Sequence, residues 1–324
     1  MLYPLKFEPI LKEMIWGGLR IPETYNIKLD KGIKIGESFL VSGLPDDNSV
    51  LGNGVLKGTN LKELINQYKA DLLGQKVYDQ FKDQFPLLIK IIDASDDLSI
   101  QVHPDDIIAK KLHDSSGKTE MWYVIDQKED ASLISGFTRK INYQEFQHNF
   151  DIGNLMELMN TVKTNKGDIY FIPAGKVHSI GKGNLIAEIQ QNSDITYRIF
   201  DFNRLDKFGN SRELHHDYAI RSMNYEDDSS GKIEYIENDE SKTEIVSCQY
   251  FNTNIINTSS TLDLDYSNLD SFVVLICTDG DCEIQSGESK IGLSQLESIL
   301  IPASLKDIKI IAKEKTKLLE VYIA

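Results

Sequence analysis

The stretch Asp97-Leu98-Ser99-Ile100-Gln101-Val102-His103-Pro104-Asp105 decides the fold of this chain. Up to His103 its residues alternate between polar and apolar, which predicts a β-strand with Gln101 and His103 on the same face. Pro104 cannot donate a hydrogen bond to a neighbouring strand, so we expect the strand to end there, with His103 as its last residue. The segment therefore predicts a strand that presents an amide and an imidazole side by side.

Two further predicted strands bring a carboxylate and a second imidazole. Glu120 opens the extended run 120–125, and His178 follows the apolar run 168–173. An amide oxygen, two imidazoles and a carboxylate, without a thiolate, suit zinc, with manganese or ferrous iron as alternatives. The sequence thus predicts a metal site made of Gln101, His103, Glu120 and His178. Because three strands must converge on one ion, it also predicts a barrel.

Each of these residues taken alone has a plainer explanation. A single histidine is more often a hydrogen-bonded core residue, and a glutamate at a strand end is often a solvated charge. The whole set in this order favours the metal site. His113 and His148 are expected at the surface, and His215-His216 is interpreted as structural because adjacent residues do not face the same ion.

Composition indicates a soluble globular protein with room for two domains. The 324 residues are 41% hydrophobic and 26% charged. The net charge of -15 disfavours nucleic acid and an anionic membrane as partners. No apolar run approaches the ~20 residues of a membrane span, and no secretory signal pattern opens the chain, so a cytoplasmic location is predicted. The three cysteines are expected to be reduced core residues.

The order of patterns along the chain predicts two domains joined by a polar connection. Residues 59–84 show helical spacing, with Thr59 or Asn60 as the cap and a break at Gly74, and are expected to cover the barrel. A polar segment at 223–243 precedes a second pattern of strands, which predicts a smaller barrel. The predicted division is 1–222 with the metal site, 223–243 as the connection, and 244–324 as a degenerate second domain.

A short internal repeat supports the second barrel. Phe171-Ile172-Pro173-Ala174-Gly175 and Leu300-Ile301-Pro302-Ala303-Ser304 are related by an apolar strand that ends in Pro-Ala. This register sets His178 against Asp307, so only the first barrel is expected to hold a metal. A chance match between two strands that end in proline is the alternative.

Several motifs resemble those of short bacterial type I mannose-6-phosphate isomerases. Besides the four predicted ligands, they are Trp16-Gly17-Gly18, Ile35-Gly36-Glu37-Ser38, Gly117-Lys118-Thr119-Glu120-Met121-Trp122-Tyr123 and 188–198. The resemblance implies a mainly β protein of the cupin superfamily, with two cupin-type jelly-roll barrels and a small helical insertion. It implies one zinc per chain, bound by the residues matching Gln101, His103, Glu120 and His178. It also places Lys118, Arg198 and Asp194 in the active site.

The implied reaction interconverts mannose 6-phosphate and fructose 6-phosphate through an enediol. A zinc ion would act as the Lewis acid, and Arg198 would stabilise the developing oxyanion or hold the phosphate. Lys118 and the buried Lys90 would supply further positive charge to the substrate. The base stays open among Asp194, Glu188, Lys118 and a metal-bound hydroxide. The plainer alternatives are an Arg198–Asp194 ion pair and a surface charge at Lys118.

The sequence is compatible with two other classes of function. The ligand set also fits an iron-dependent oxygenase, because such sites use histidines and a carboxylate. A non-catalytic sugar-phosphate-binding or regulatory module is the second alternative. It is suggested by Leu40, which stands where the family commonly has a glutamate, after Phe39 in place of tryptophan. A phosphosugar is the expected small-molecule partner in either the isomerase or the binding module.

Overall fold

The computed structural model describes residues 2–206 and 208–323. Strands form 41% of the chain and helices 16%, which confirms the mainly β prediction. The chain divides into two compact units. Unit A comprises Lys12–Glu37 and Ile91–Glu234, and unit B comprises Met1–Leu11, Ser38–Lys90 and Tyr235–Ala324.

The strands, in chain order, are β1 Ile10–Gly18, β2 Ile35–Ser42, β3 Leu87–Asp93, β4 Ile100–Val102, β5 Glu120–Gln127, β6 Ser132–Phe137, β7 Met159–Lys163, β8 Ile169–Ile172, β9 His178–Ile180, β10 Asn184–Gln191, β11 Tyr197–Phe200, β12 Lys232–Ile233, β13 Ser241–Ser247, β14 Asn252–Thr258, β15 Thr261–Asp265, β16 Val273–Asp279, β17 Asp281–Ser286, β18 Ser289–Ser294, β19 Ser298–Ile301, β20 Asp307–Ala312 and β21 Thr316–Tyr322.

The helices are α1 Arg20–Thr24, α2 Leu61–Tyr68, α3 Ala70–Leu73, α4 Gln75–Phe81, α5 Asp106–His113, α6 Tyr143–Asp151 and α7 His216–Ser222, with a 3₁₀ turn at Leu155–Leu158. Within the described ranges, these helices are too short or too polar to cross a bilayer.

Unit A is built on two sheets that pack face to face. The seven-stranded sheet has the order β1-β2-β3-β10-β5-β8-β12, and the five-stranded sheet has the order β11-β4-β9-β6-β7. Strands β1, β2 and β3 of the larger sheet are each divided between the two units. One apolar cluster joins the inner faces, with Trp122 and Tyr170 from the larger sheet and Leu133 and Ile180 from the smaller one.

The alternation in β4 decides which face of the smaller sheet is polar. Ile100 and Val102 point outward into a second cluster, where they meet Phe146 of α6 and Ala219 of α7. Gln101 and His103 therefore point inward, as predicted. The strand itself is shorter than expected, since only Ile100–Val102 is hydrogen-bonded as β-structure.

The glycines of the first motif are required by close packing inside unit A. A Cβ on Gly17 would lie 2.6 Å from the backbone nitrogen of Gly36, and a Cβ on Gly18 would lie 2.1 Å from a carboxylate oxygen of Asp93. Any side chain at these two positions would force the neighbouring atoms apart.

Unit B has a five-stranded sheet, β13-β14-β21-β16-β19, and a four-stranded sheet, β15-β20-β17-β18. An apolar core containing Leu275, Ile284, Ile299 and Ile310 draws on both sheets. The buried Glu320 lies at this core and accepts hydrogen bonds from Tyr266 at 2.7 Å and Asn254 at 2.6 Å.

The predicted helical segment belongs to unit B, which differs from the predicted division at 1–222. Asn60 and Glu63 form a reciprocal capping box at the start of α2, and the helix breaks at Lys69 as well as at the expected Gly74. The carbonyls of Leu72 and Leu73 accept from the backbone of Ala303 and Phe272. These long-range bonds place residues 61–81 with the carboxy-terminal strands.

The two units share one strand order, which extends the short sequence repeat to a whole topology. Nine consecutive strands, β2 to β10, form the orders β2-β3-β10-β5-β8 and β4-β9-β6-β7. The nine strands β13 to β21 repeat both orders in the same sequence. The strands close no barrel by hydrogen bonds in the described ranges, so the jelly-roll barrel is not confirmed.

The equivalent positions in unit B lack the predicted ligands. Gln101 pairs with His178 across β4 and β9, and the matching pair across β15 and β20 is Asp265 with Asp307. Glu120 pairs with Ile172 across β5 and β8, and Ile301 is paired with Val273 in the matching strands. Asp307 is the first residue of β20, as His178 is the first residue of the equivalent strand β9.

Candidate metal centre

Three of the four predicted ligands converge inside unit A. The Nε2 atoms of His103 and His178 lie 3.1 Å apart. A carboxylate oxygen of Glu120 lies 3.5 Å from each of them. All three side chains are buried, and their ligand atoms lie within 4.8 Å of one another.

The proton positions on the two imidazoles are fixed by backbone carbonyls. His103 Nδ1 lies 2.8 Å from the carbonyl oxygen of Ile195, and His178 Nδ1 lies 2.8 Å from that of Lys176. Because a carbonyl only accepts, each Nδ1 carries the proton and each Nε2 presents a lone pair. Burial lowers the pKa of His178 to about 3, so this ring is neutral at pH 7.

The resulting donor set fits a divalent metal. Two nitrogen lone pairs and a carboxylate face one another in a buried space, an arrangement that repels itself unless a cation lies between them. Imidazoles whose other nitrogen donates to a backbone carbonyl are the usual form of metal-binding histidines. Two nitrogens and a carboxylate oxygen favour zinc, manganese or iron over magnesium.

Gln101 lies beside this cluster. The amide nitrogen Nε2 of Gln101 is 3.2 Å from His178 Nε2. The Ser99 hydroxyl donates to the amide oxygen Oε1 over 3.3 Å. Rotating the amide by 180° exchanges its nitrogen and oxygen, which have nearly the same shape. Gln101 is thus within reach of the position that the other three residues enclose.

Cross-strand pairing aligns four side chains in one row on the inner face of the smaller sheet. Arg198 of β11 pairs with Gln101 of β4, Gln101 pairs with His178 of β9, and His178 pairs with Ser135 of β6. Paired residues in antiparallel strands share a face. The row therefore places Arg198 on the same face as the metal cluster.

Lys118 is buried and is not the surface charge of the plainer alternative. Its side chain is 5% exposed, and Nζ lies 3.5 Å from Glu120 Oε2. The backbone nitrogen of Lys118 donates to the carbonyl of Pro104 at 3.0 Å, which links this segment to the end of β4. A cation is thus fixed beside the carboxylate of the cluster.

Arg198 and Asp194 do not form the alternative ion pair. Arg198 Nη1 donates to the carbonyl of Glu213 at 2.6 Å, its Nε is buried without a hydrogen-bond partner among the described residues, and Asp194 is exposed. Burial lowers the pKa of Arg198, the Arg212 charge lowers it further, and Asp201 opposes both. The guanidinium keeps donor capacity that the protein does not use.

Lys90 belongs to unit B, where it is buried on β3 with Nζ 5.7 Å from the ring centre of Phe39. The neighbouring Leu40 is also buried. The role of Lys90 in substrate binding stays a prediction.

The other histidines are separate from the cluster. His113 and His148 are exposed, as predicted, although His113 Nε2 lies 2.7 Å from the Tyr197 hydroxyl. The Nδ1 of His215 accepts from the backbone of Arg198, and His216 Nε2 contacts Gln147. The structural interpretation of the pair agrees with these contacts.

Two supporting residues were missed at the sequence level. The indole of Trp122 donates to Glu188 over 2.9 Å, and its edge contacts the His178 ring at a centroid distance of 5.3 Å. The buried Lys176 bonds Asp227 at 2.8 Å while its carbonyl holds the His178 ring. Trp122 lies in the motif 117–123, which could have pointed to it. Nothing local in the sequence links Lys176 to Asp227.

Comparison with known proteins places this geometry in one family. The sequence profile described as "Phosphomannose isomerase type I, catalytic domain" matches residues 5–138. The mannose-6-phosphate isomerase ManA of Bacillus subtilis is 35% identical, over 95% of each chain. The mannose-6-phosphate isomerase of Streptococcus mutans is 38% identical over 68% of this chain and 67% of its own.

Solved structures agree with the sequence relatives. The crystal structure of mannose 6-phosphate isomerase from Bacillus subtilis has a TM-score of 0.86 at 28% identity and covers 99% of this chain and 100% of its own. A variant of phosphomannose isomerase from Salmonella typhimurium has a TM-score of 0.79 at 17% identity over 99% of this chain and 100% of its own, which shows the fold alone.

We expect the bound metal to depend on His103 and His178 and not on the exposed histidines. Purified His103→Ala and His178→Ala should each lose most of their bound metal, because each variant removes one imidazole ligand from a site with few ligands. Elemental analysis by mass spectrometry measures the content. His148→Ala is the matched control and should keep the parental content. Equal loss across the three variants would contradict the assignment.

Proposed function

The chain belongs to the type I phosphomannose isomerase family and is a mannose-6-phosphate isomerase, and on this basis we propose a zinc-dependent reaction through an enediol. The observation that carries the proposal is the convergence of two imidazole lone pairs and one carboxylate in a buried space. One zinc per chain would be held by His103, Glu120, His178 and Gln101. When bound, it would supply Lewis-acid polarisation of the substrate carbonyl.

The reaction moves hydrogen between two adjacent carbons. A base takes the proton from C2 of the aldose while the carbonyl oxygen on C1 gains a proton, which gives the enediol. The hydroxyl on C2 then loses its proton and C1 gains one, which gives the ketose. No external oxidant or reductant is needed, so the protein must move protons and stabilise negative charge on oxygen.

Arg198 and Lys118 are the cations suited to that charge. Arg198 lies in the same cross-strand row as Gln101 and His178, and its Nε is an unused donor among the described residues. Lys118 lies 3.5 Å from Glu120 and is buried, so its charge acts with little screening by water. We assign Arg198 to the developing oxyanion and Lys118 to an oxygen of the substrate. Lys90 is proposed as a further contact to the substrate.

The base stays among three residues. Glu188 faces the cluster beside Trp122, and Lys118 lies next to Glu120, so both buried groups face the reacting region. Asp194, which the family resemblance favours, is exposed at the end of the turn that follows β10.

We further infer that each nine-strand set is a cupin-type jelly roll. In the first set, the eight strands β3 to β10 divide into two four-stranded groups, β3-β10-β5-β8 and β4-β9-β6-β7, as in a double-sheet jelly roll.

A cytoplasmic location remains the prediction from the sequence, and cell fractionation would test it.

Metal removal should abolish turnover. Chelation followed by dialysis is expected to leave no conversion of mannose 6-phosphate in a coupled assay, and zinc should restore it better than magnesium, because imidazole ligands suit zinc. Manganese and ferrous iron, added without oxygen, are the informative comparisons. Full activity in protein verified to be metal-free would rule out the metal-dependent reaction.

The enediol predicts exchange with solvent. In deuterium oxide, a base that carries the C2 proton should exchange part of it, and deuterium should appear at C1 of the fructose 6-phosphate formed. Nuclear magnetic resonance of the product reads this directly. A direct hydride shift would retain the hydrogen. Product free of solvent deuterium at every extent of reaction would count against the enediol.

Arg198→Lys separates the two roles open to this residue. If the planar guanidinium stabilises the oxyanion, kcat should fall ~100- to 1,000-fold, with metal content unchanged. This fall corresponds to a rise of roughly 3–4 kcal/mol in the activation free energy. A phosphate-holding role predicts a raised KM with kcat nearly preserved. Steady-state kinetics with metal analysis distinguishes them. Unchanged kinetics would make Arg198 structural.

A further inference from the structure

Ser135 ends the row that contains the metal cluster, and its hydroxyl is unused by the protein. It is fully buried on β6, directly across from His178 on β9. Its Oγ makes no hydrogen bond to the described residues. Two positions earlier in β6, and so on the same face, the pair Leu133 and Ile180 belongs to the apolar core between the sheets. Ser135 therefore faces the same interior as the ligands.

The backbone fixes Ser135 in this direction. The next residue, Gly136, has φ +74°, a conformation that favours glycine, and a Cβ there would lie 2.7 Å from the carbonyl oxygen of Ser229. Its nitrogen donates to the carbonyl of Val177 at 2.8 Å. Ser135 thus precedes an irregularity in β6 at which the backbone stays bonded to the segment before β9, and Ser135 remains paired with His178.

Packing alone does not account for a polar group here. A buried hydroxyl without a partner destabilises the folded state, and alanine would fill nearly the same space without that cost. Serine at this position is explained if another molecule supplies the hydrogen bond.

A second unused atom flanks the cluster from the opposite sheet. Gln190 on β10 is fully buried and pairs with Glu120 on β5. Its Nε2 donates to the carbonyls of Gln191 at 3.0 Å and Ser193 at 2.5 Å, which fixes the orientation of the amide. Its Oε1 then points away from those carbonyls and has no partner in the described part of the chain. An amide oxygen accepts only from a donor such as a hydroxyl.

We propose that Ser135 Oγ and Gln190 Oε1 bind hydroxyl groups of the sugar phosphate and so determine which hydroxyl pattern is accepted. Ser135 is the cross-strand neighbour of His178, and Gln190 is the cross-strand neighbour of Glu120. Neighbouring strands lie about 4.8 Å apart, so both atoms are within the span of one sugar chain whose carbonyl lies at the cluster. The proposal rests on the substrate binding at that cluster.

The test combines two variants with altered substrates. Ser135→Ala and Gln190→Met are assayed with mannose 6-phosphate and with its 3-deoxy and 4-deoxy analogues. Each variant should lower kcat/KM for mannose 6-phosphate about tenfold, the effect of one hydrogen bond. The parental enzyme should disfavour an analogue that lacks a recognised hydroxyl, and the matching variant should lose that preference.

Ser179→Ala is the matched control for Ser135→Ala. Ser179 is also a buried serine of the smaller sheet, but its Oγ donates to the carbonyl of Leu98 at 2.7 Å. We expect this control to lower the melting temperature without changing kcat/KM. Ser135→Ala should keep or raise the melting temperature, because it removes an unsatisfied group and no bond.

The outcomes separate this proposal from that for the metal site. Metal content should be unchanged in Ser135→Ala and Ser179→Ala, whereas Gln190→Met also removes the donor that holds the turn before Ile195, so its metal content is measured alongside its kinetics. The parental enzyme should lose turnover on chelation whether or not Ser135 and Gln190 bind hydroxyls. The proposal is overturned if both variants keep the parental preference between mannose 6-phosphate and the two analogues. If Gln190→Met does not fold, the preference of Ser135→Ala alone decides.

Discussion

Two hydrogen bonds from imidazole to backbone are the constraint on which the site depends. The carbonyls of Ile195 and Lys176 take the Nδ1 protons of His103 and His178. This leaves both Nε2 lone pairs directed at the Glu120 carboxylate. Without these carbonyls either ring could turn or take the other tautomer, and the three acceptors would no longer face one point. The geometry of the candidate metal centre therefore begins in the placement of two peptide groups.

Each carbonyl is held by a turn that is itself fixed. The turn before His178 is bound through Gly175 to the carbonyl of His103 and through the buried Lys176 to Asp227. The turn before Ile195 is held by the amide of Gln190, which donates to the carbonyls of Gln191 and Ser193. Hence residues far apart in the chain share in orienting one pair of imidazoles.

The repeated strand order shows that one fold occurs both with and without the candidate ligand set. Unit B has the same order of nine strands as unit A, with Asp265, Val273 and Asp307 at positions matching Gln101, Glu120 and His178. Glu320 pairs with Leu275 in unit B, and Glu188 pairs with Trp122 at the equivalent position of unit A. A buried carboxylate is therefore present at this position in both units. In unit B the Glu320 carboxylate accepts hydrogen bonds from Tyr266 and Asn254 and forms an ion pair with Lys242. The same backbone position thus serves packing in one unit and faces the cluster in the other.

The sequence by itself determined the mainly β class, the inward direction of Gln101 and His103, the break at Gly74 and which side chains form the candidate metal cluster, and it limited the helix cap to Thr59 or Asn60. These follow from local causes, namely alternation in strands, proline and glycine stereochemistry, and the few side chains that bind metals. The family resemblance added the reaction and pointed to Lys118 and Arg198.

Only the tertiary structure decided that residues 61–81 lie with the carboxy-terminal strands, because backbone bonds from Phe272 and Ala303 hold them there. It also decided the burial of Lys118, the contacts of Lys176 with Asp227, and the row that ends in Ser135. Such features depend on which strands become neighbours. That choice is made by the packing of whole sheets, and no local stretch of sequence contains it.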